Sequence, residues 1–405
     1  MIDMTHSSTF LSRRALLGAA LAGSLLMTAA LPASGAAAAP RPGGATSTTA
    51  PAVPPLDTRA LRAALSELGD PQLTAAQIRV SGSAGRWYGT SGVADTRTGR
   101  PVRPDDRFRI GSITKVFVAT VVLQLAAEGK LDMDAPIQRR LPGVLPDGFP
   151  PITATQLLNH TSGLPAESGP DIPDLDTPED ILRHRHDRWK PEQLAAMVTR
   201  GPMKFAPGTK QEYRGINYVL AAMLIEKVTG RPYGEEIGKR VLRPLRLDRT
   251  SLPGADPKIR GPHVHGYLAM SDGHLEDVTE YDQTEAWGEG EMISTTGDLD
   301  RFITALFSGE LLPKAQLDRM FTLPPAEVRM LDGGPARYGA GLQTVTVNGV
   351  TLWGKTGERY GYNSAVFATR DQQRRVSYSF NPTHRDASQQ KMTLRLAEAV
   401  TKGKG

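Results

Sequence analysis

The sequence predicts an α/β chain of the α+β type: an antiparallel β-sheet flanked by N- and C-terminal helices, with a mainly helical domain inserted between its strands. Three observations predict it. Short strand-like segments separated by Gly and Asp turns fall at 77–80, 86–88 and 107–110. From Thr153 to about Phe307 the pattern is mainly helical, cut by Pro and Gly. Strands then return, and a helix closes the chain. A sheet built from both ends of the chain, with helices between, follows. A cleft at such a junction is where a site is expected.

The first 39 residues read as an export leader. Ser12-Arg13-Arg14 precedes an uncharged Leu/Ala stretch from Ala15 to Leu31, and small residues follow from Ala33 to Ala39. The paired arginines favour the twin-arginine route, so a secreted or cell-wall location is expected, with no membrane span in the mature chain. Residues 40–56, rich in Pro, Gly, Ala and Thr, read as a flexible linker. The remaining 57–401 form the expected catalytic domain, with a sheet lobe at about 57–115 and 335–401 and a helical lobe at about 116–334.

Leu and Ala at helical spacing predict a helix over 56–68, at the start of that domain, stopped by Gly69-Asp70-Pro71. Gly111 opens a strongly apolar helix over 116–127. Further helices are expected at 155–159, 191–198, 218–228 and 299–306. Asn348-Gly349, between strands at 344–347 and 350–353, is a hairpin signal. Strands at 364–368 and 376–380 and a helix over 388–401 complete the order.

Composition removes several chemistries. With no cysteine in 405 residues there is no disulfide scaffold, thiol nucleophile or thiolate metal site. The 48 Lys/Arg exceed the 43 Asp/Glu only slightly and are scattered, which argues against a nucleic-acid partner. Any nucleophile must carry oxygen or nitrogen.

One candidate stands out. In Gly111-Ser112-Ile113-Thr114-Lys115 a serine sits at the first turn of the apolar helix, near backbone N–H groups that can stabilise an oxyanion. Spacing of three places Lys115 on the same helical face, where a buried amine with a lowered pKa can take the hydroxyl proton. A second copy, Ser388-Gln389-Gln390-Lys391, starts a polar helix and reads as a solvated helix start.

This segment, with Leu157-Leu158-Asn159-His160-Thr161-Ser162-Gly163-Leu164, Phe205-Ala206-Pro207-Gly208, Tyr213, Asn217-Tyr218, Ile293-Ser294-Thr295-Thr296-Gly297-Asp298, Tyr338-Gly339-Ala340-Gly341 and Lys355-Thr356-Gly357, resembles the serine β-lactamase/penicillin-binding protein family. The likeness is to secreted D-alanyl-D-alanine carboxypeptidases and class C β-lactamases, and it spans roughly 60–400. It implies the β-lactamase/transpeptidase-like fold. It also implies that Ser112 forms an acyl-enzyme with Lys115 as base and that Tyr213 passes a proton to the leaving group. Lys355 and Thr356 would meet a substrate carboxylate, beside Gly357. The backbone N–H groups of Ser112 and Glu358 would form the oxyanion hole. No cofactor is implied.

The chain departs from the family at the substrate-reading positions. Tyr213-Arg214-Gly215 stands where the family reads Tyr-x-Asn, and Gly215 can neither bind a substrate amide nor hold the lysine; Asn217 belongs to a separate pair. Glu358, Glu289 and Glu291 place three carboxylates near the expected carboxylate pocket, with Arg214 and Arg359 as possible neutralising partners.

Two His-x-His pairs, His184/His186 with Asp187 and His263/His265, have the spacing to offer imidazoles to a metal. Both read as solvated surface without a third ligand, and His160 reads as a loop-ordering residue. No metal is assigned. The expectation is therefore a secreted serine acyl-enzyme hydrolase, a D-alanyl-D-alanine carboxypeptidase-like peptidase acting on a cell-wall peptide stem or a β-lactam. The alternative is a β-lactamase, esterase or amide-forming transacylase on a small metabolite. A non-catalytic binding module is opposed by the retained Ser112, Lys115, Tyr213 and Lys355.

Overall fold

The computed structural model describes residues 53–66, 72–166, 173 and 175–403. The expected leader and the linker as far as residue 52 lie outside the described residues.

Seven strands make one antiparallel sheet. Three come from early in the chain, β1 (Leu73–Ser81), β2 (Trp87–Asp95) and β3 (Arg100–Pro101). Four come from late in it, β4 (Gln343–Val347), β5 (Val350–Arg359), β6 (Tyr362–Ala368) and β7 (Arg375–Pro382). The spatial order is β4-β5-β6-β7-β1-β2-β3, so the two ends of the chain meet at the centre, with Ala76 opposite Phe380. Fully buried β6, with no polar-out alternation, is the mark of a strand covered on both faces.

Helices α1 (Thr58–Ser66), α2 (Thr114–Ala127), α3 (Ile216–Thr229), α4 (Thr296–Phe307) and α5 (Ser388–Thr401) supply those covers. On one face Leu61 and Leu65 of α1 and Met392, Leu396 and Val400 of α5 close over Ile78, Leu352 and Phe380. On the other, α4 lies against β1, β6 and β7. Its Leu299, Phe302, Ile303 and Leu306 follow one helical stripe, and the Thr295 hydroxyl caps its start by accepting from Asp298 N at 3.1 Å. Phe302 stacks on Phe117 of α2 with centroids 3.7 Å apart. Through α4 the sheet is thereby joined to the helical part.

Helix α2 is apolar all round, so it is buried all round. Val116, Phe117, Val118, Val121, Val122, Leu123 and Leu125 are each inaccessible, and each such side chain contributes about 1.5–3 kcal/mol of transfer free energy. Its one buried charge is Lys115. Helix α3, ended by Gly230 at φ +69°, packs against it.

Two expectations need correction. Residues 53–56, read as the end of a flexible linker, are docked: Val53 and Leu56 are buried in the α1/α5 core, Arg374 donates to Pro54 O at 2.5 Å, and Leu56 bridges Gly403. Pro54-Pro55 holds this stretch extended, and its apolar flanks find the core. The strand expected at 86–88 runs on to Asp95. Gly92 does not interrupt it, since a Cβ there would lie 2.1 Å from Thr74 O, and only glycine permits that approach of β1.

Candidate active site

Ser112 lies in a single 3₁₀ turn, Gly111–Ile113, that leads directly into α2. What precedes it is anchored from behind. Phe108–Arg109 pairs with Ile293–Ser294, and the buried Arg109 guanidinium donates to Pro257 O at 2.6 Å and Thr279 O at 2.7 Å. Burial pulls Arg109 down to about 10. Ser112 and Lys115 are both buried, and Lys115 Nζ stands 3.1 Å from Ser112 Oγ. The i, i+3 spacing therefore produces the contact that it promised.

Strand β5 passes over this turn. Beyond Gly354 it has no β4 neighbour, so Lys355–Arg359 pairs only with β6 and offers a free edge. That edge lies against the turn closely enough to require two glycines. A Cβ on Gly357 would sit 1.9 Å from Ile110 O, and one on Gly111, at φ +50°, 2.5 Å from Glu358 N. Ser364 Oγ of β6 also donates to Ile110 O at 3.1 Å. Ser112 and Glu358, whose N–H groups are the expected oxyanion donors, thus sit on two elements in close contact.

Tyr213 follows a two-residue strand, Lys210–Gln211. Its ring lies between two amines, 5.1 Å from Lys115 Nζ and 4.6 Å from Lys355 Nζ. His160 and Tyr338 complete an aromatic wall, with centroids 4.6 and 5.5 Å from that of Tyr213. His160 adopts φ +61° and orders its surroundings: it accepts at Nδ1 from Arg214 N at 3.3 Å, and its carbonyl accepts from Glu212 N at 2.9 Å. Burial, then the nearby Lys115 and Lys355, hold the imidazole well below its usual range. Asn217 bonds Ser162 and His160 and so belongs to that loop.

Lys355 is buried and donates to Thr356 O at 3.1 Å. Burial, and next the charge of Lys115, push it well below the ordinary lysine range; Glu289 opposes that shift. Lys355, Gly357 and Arg359 share the face of β5 that bears Trp353, toward the helical part, whereas Thr356 and Glu358 alternate to the other.

The three expected cleft carboxylates separate. Glu358 faces Arg385 at 3.9 Å, and burial pushes its carboxyl up. Glu291 is buried against the Tyr233 hydroxyl and accepts from Gly254 N at 3.2 Å, a structural role. Glu289 alone meets the nucleophile's neighbour. Its carboxylate pairs with Lys115 Nζ, and its carbonyl accepts from the same nitrogen at 2.8 Å. Of the expected neutralising arginines, Arg214 pairs with Glu212, and Arg359 pairs with Glu285 while its charge, like that of Arg385, also favours ionised Glu358. Of the histidine pairs, His184 bonds Asp187 and His265 bonds Asp277, each at 2.6 Å.

Sequence reasoning missed Gln211, a buried amide that ties Tyr338 to the Tyr213 segment, and it missed the contact of Glu289 with Lys115. Neither carries a local signal, since both depend on segments far apart in the chain.

The family model for β-lactamases matches residues 61–401. The chain belongs to the β-lactamase family. This β-lactamase-family chain is 35% identical to a D-stereospecific amidohydrolase from Streptomyces sp., with a TM-score of 0.74 over 86% of this chain and 100% of that one. It is 26% identical to penicillin-binding protein 4* of Bacillus subtilis over 78% of this chain and 70% of that protein. It is 33% identical to esterase EstB of Burkholderia gladioli over 48% of this chain, spanning about half (49%) of the esterase's length. The chain is a serine hydrolase of the β-lactamase/penicillin-binding superfamily, and the relatives carry more than one activity. Among the described residues no helix is long and apolar enough to cross a membrane.

Proposed function

We propose that the chain is an exported serine amidohydrolase whose substrate is a small D-aminoacyl amide with a neutral leaving group. In this reading Ser112 Oγ attacks the carbonyl carbon as its proton passes to neutral Lys115 Nζ. The oxyanion rests on the N–H groups of Ser112 and Glu358. The C–N bond then breaks, Tyr213 supplies the proton that the leaving nitrogen needs, and water cleaves the resulting ester to free the acid and Ser112.

The observation that carries the choice of leaving group is the state of Lys355. Its amine is buried, engaged with Thr356 O and the Tyr213 ring, and pushed toward neutrality. A buried amine so engaged is a poor receptor for a free C-terminal carboxylate, and the Glu289 carboxylate nearby repels one. An amide leaving group carries no such charge. The likeness to the Streptomyces amidohydrolase over its full length supports the D-configured acyl part. The carboxypeptidase expected from the motifs needs the opposite electrostatics. Export rests on the Arg13-Arg14 leader.

The test compares release of ammonia from D- and L-aminoacyl amides with release of D-alanine from a D-Ala-D-Ala peptide, using S112A as control. The expected result is turnover of the D-amide above both others, absent in S112A. Faster cleavage of the carboxylate-bearing peptide would restore the carboxypeptidase reading.

A further inference from the structure

Gly215 and Glu289 compete for one volume. A Cβ built on Gly215 would lie 2.8 Å from Glu289 Oε2, 2.9 Å from its Cδ and 3.1 Å from Oε1. No other group comes as near, so the carboxylate fills the space that a side chain at 215 would enter. From there it reaches Lys115 Nζ, 3.1 Å from Ser112 Oγ.

We propose that Glu289 is the positioning residue of Lys115, its carboxylate entering from the 287–292 loop to hold the amine that a side chain at 215 would otherwise hold. The loop is built to deliver it. Glu289 N and Gly290 N donate to Ala286 O at 3.0 and 2.8 Å, and Met292 N donates to the Thr114 hydroxyl at 3.2 Å, fixing the loop to the first turn of α2. Glu291, two residues on, is locked against Tyr233. The backbone and side chain of Glu289 both grip Lys115 Nζ, which leaves the amine directed at Ser112. Positions 215 and 289 then form an exclusive pair, in which one side chain holds Lys115 and the other must be small.

The charge of Glu289 also acts on the amine. Lys115 is faced by Lys355, by the rings of Tyr213 and Tyr218 and by His160, and Glu289 is the anion that pairs with it. Removing that anion while keeping the shape makes protonation of Lys115 harder.

The proposal rests on Ser112 and Lys115 as nucleophile and base, so it is tested on p-nitrophenyl acetate, whose acylation of Ser112 does not depend on the natural substrate; loss of turnover in S112A verifies that basis separately. E289A is expected to lower kcat/KM about 10²-fold, the cost of a misplaced base. G215N alone is expected to lower it as well, by collision with Glu289. The double variant G215N/E289A is expected to recover at least about tenfold over E289A, a coupling that two independent losses cannot give. In E289Q the acid limb of the kcat/KM profile is expected to move to lower pH. Thermal unfolding of each variant separates these effects from misfolding. A double variant no better than the product of the singles overturns the proposal, as does an unmoved acid limb in a folded E289Q.

Discussion

The Gln211 side chain grips Tyr338 at both ends of its backbone: Oε1 accepts from Tyr338 N at 3.2 Å, and Nε2 donates to Tyr338 O at 2.9 Å. The same amide accepts from Arg337 N at 2.8 Å and donates to Asn159 O at 2.8 Å. Three segments remote in sequence are thereby set around the Tyr213 ring.

Gln211→Leu keeps the volume and removes all four bonds. Buried backbone groups left without partners cost roughly 1–3 kcal/mol each, softened by relaxation of the loop. A loss of about 3 kcal/mol in urea unfolding is expected, with a rise in KM as the aromatic wall loosens. An unchanged midpoint would show that water replaces the amide without penalty.

Gly111→Ala tests the close passage of β5 over the nucleophile turn. Its Cβ would meet Glu358 N and O at 2.5 Å, so the strand edge must move and carry the Glu358 N–H with it. Loss of one oxyanion donor lowers kcat by about 10²–10³. Gly129→Ala is the control, because φ there is +68° but nothing lies within 4 Å of the added carbon. That variant should lose only about 1–2 kcal/mol of stability and retain its kcat. Equal rates in the two variants would refute the assignment.

Lys355→Met removes a buried amine from a site that disfavours its charge. A lysine whose folded pKa lies below its unfolded value penalises the fold while it is forced to stay protonated. The penalty is full below the folded pKa and disappears as pH rises toward the unfolded value of 10.5. The Met variant should therefore be more stable than the parent near neutrality, by about 1 kcal/mol or more, and the gap should close as pH approaches 10. Its activity should fall as the amine beside Tyr213 is lost. A gap that widens with pH would reverse the sign and contradict the burial argument.

The legible parts of the site were the local ones. Ser112 and Lys115 lie one helical turn apart, so spacing alone brings them together, whereas the strand expected at 350–353 runs on to Arg359, and Lys355-Thr356-Gly357 was marked only by the family resemblance. The sheet was legible for the same reason at 376–380, less so at 87–95, where Gly89 and Gly92 hide a strand behind turn residues. The acidic loop was misjudged because adjacent carboxylates look alike in sequence. Tyr233, far away in the chain, takes Glu291 into the interior, while Gly215 admits Glu289 to the cleft. Which acid is structural and which is poised beside the amine is decided by partners that no local pattern names.

The pairing of β1 with β7 has a consequence for how the protein is made. Ala76 waits for Phe380, and the nucleophile turn waits for Gly357 to lie across Ile110. Until β7 leaves the ribosome β1 keeps an unpaired edge, and until β5 does Ser112 has no strand edge over it. Such long-range closure is slow and leaves incomplete chains prone to edge-to-edge association. A chain truncated before Arg375 therefore lacks more than a strand. It cannot close the centre of its sheet, because Ala76 is left without the strand that carries Phe380.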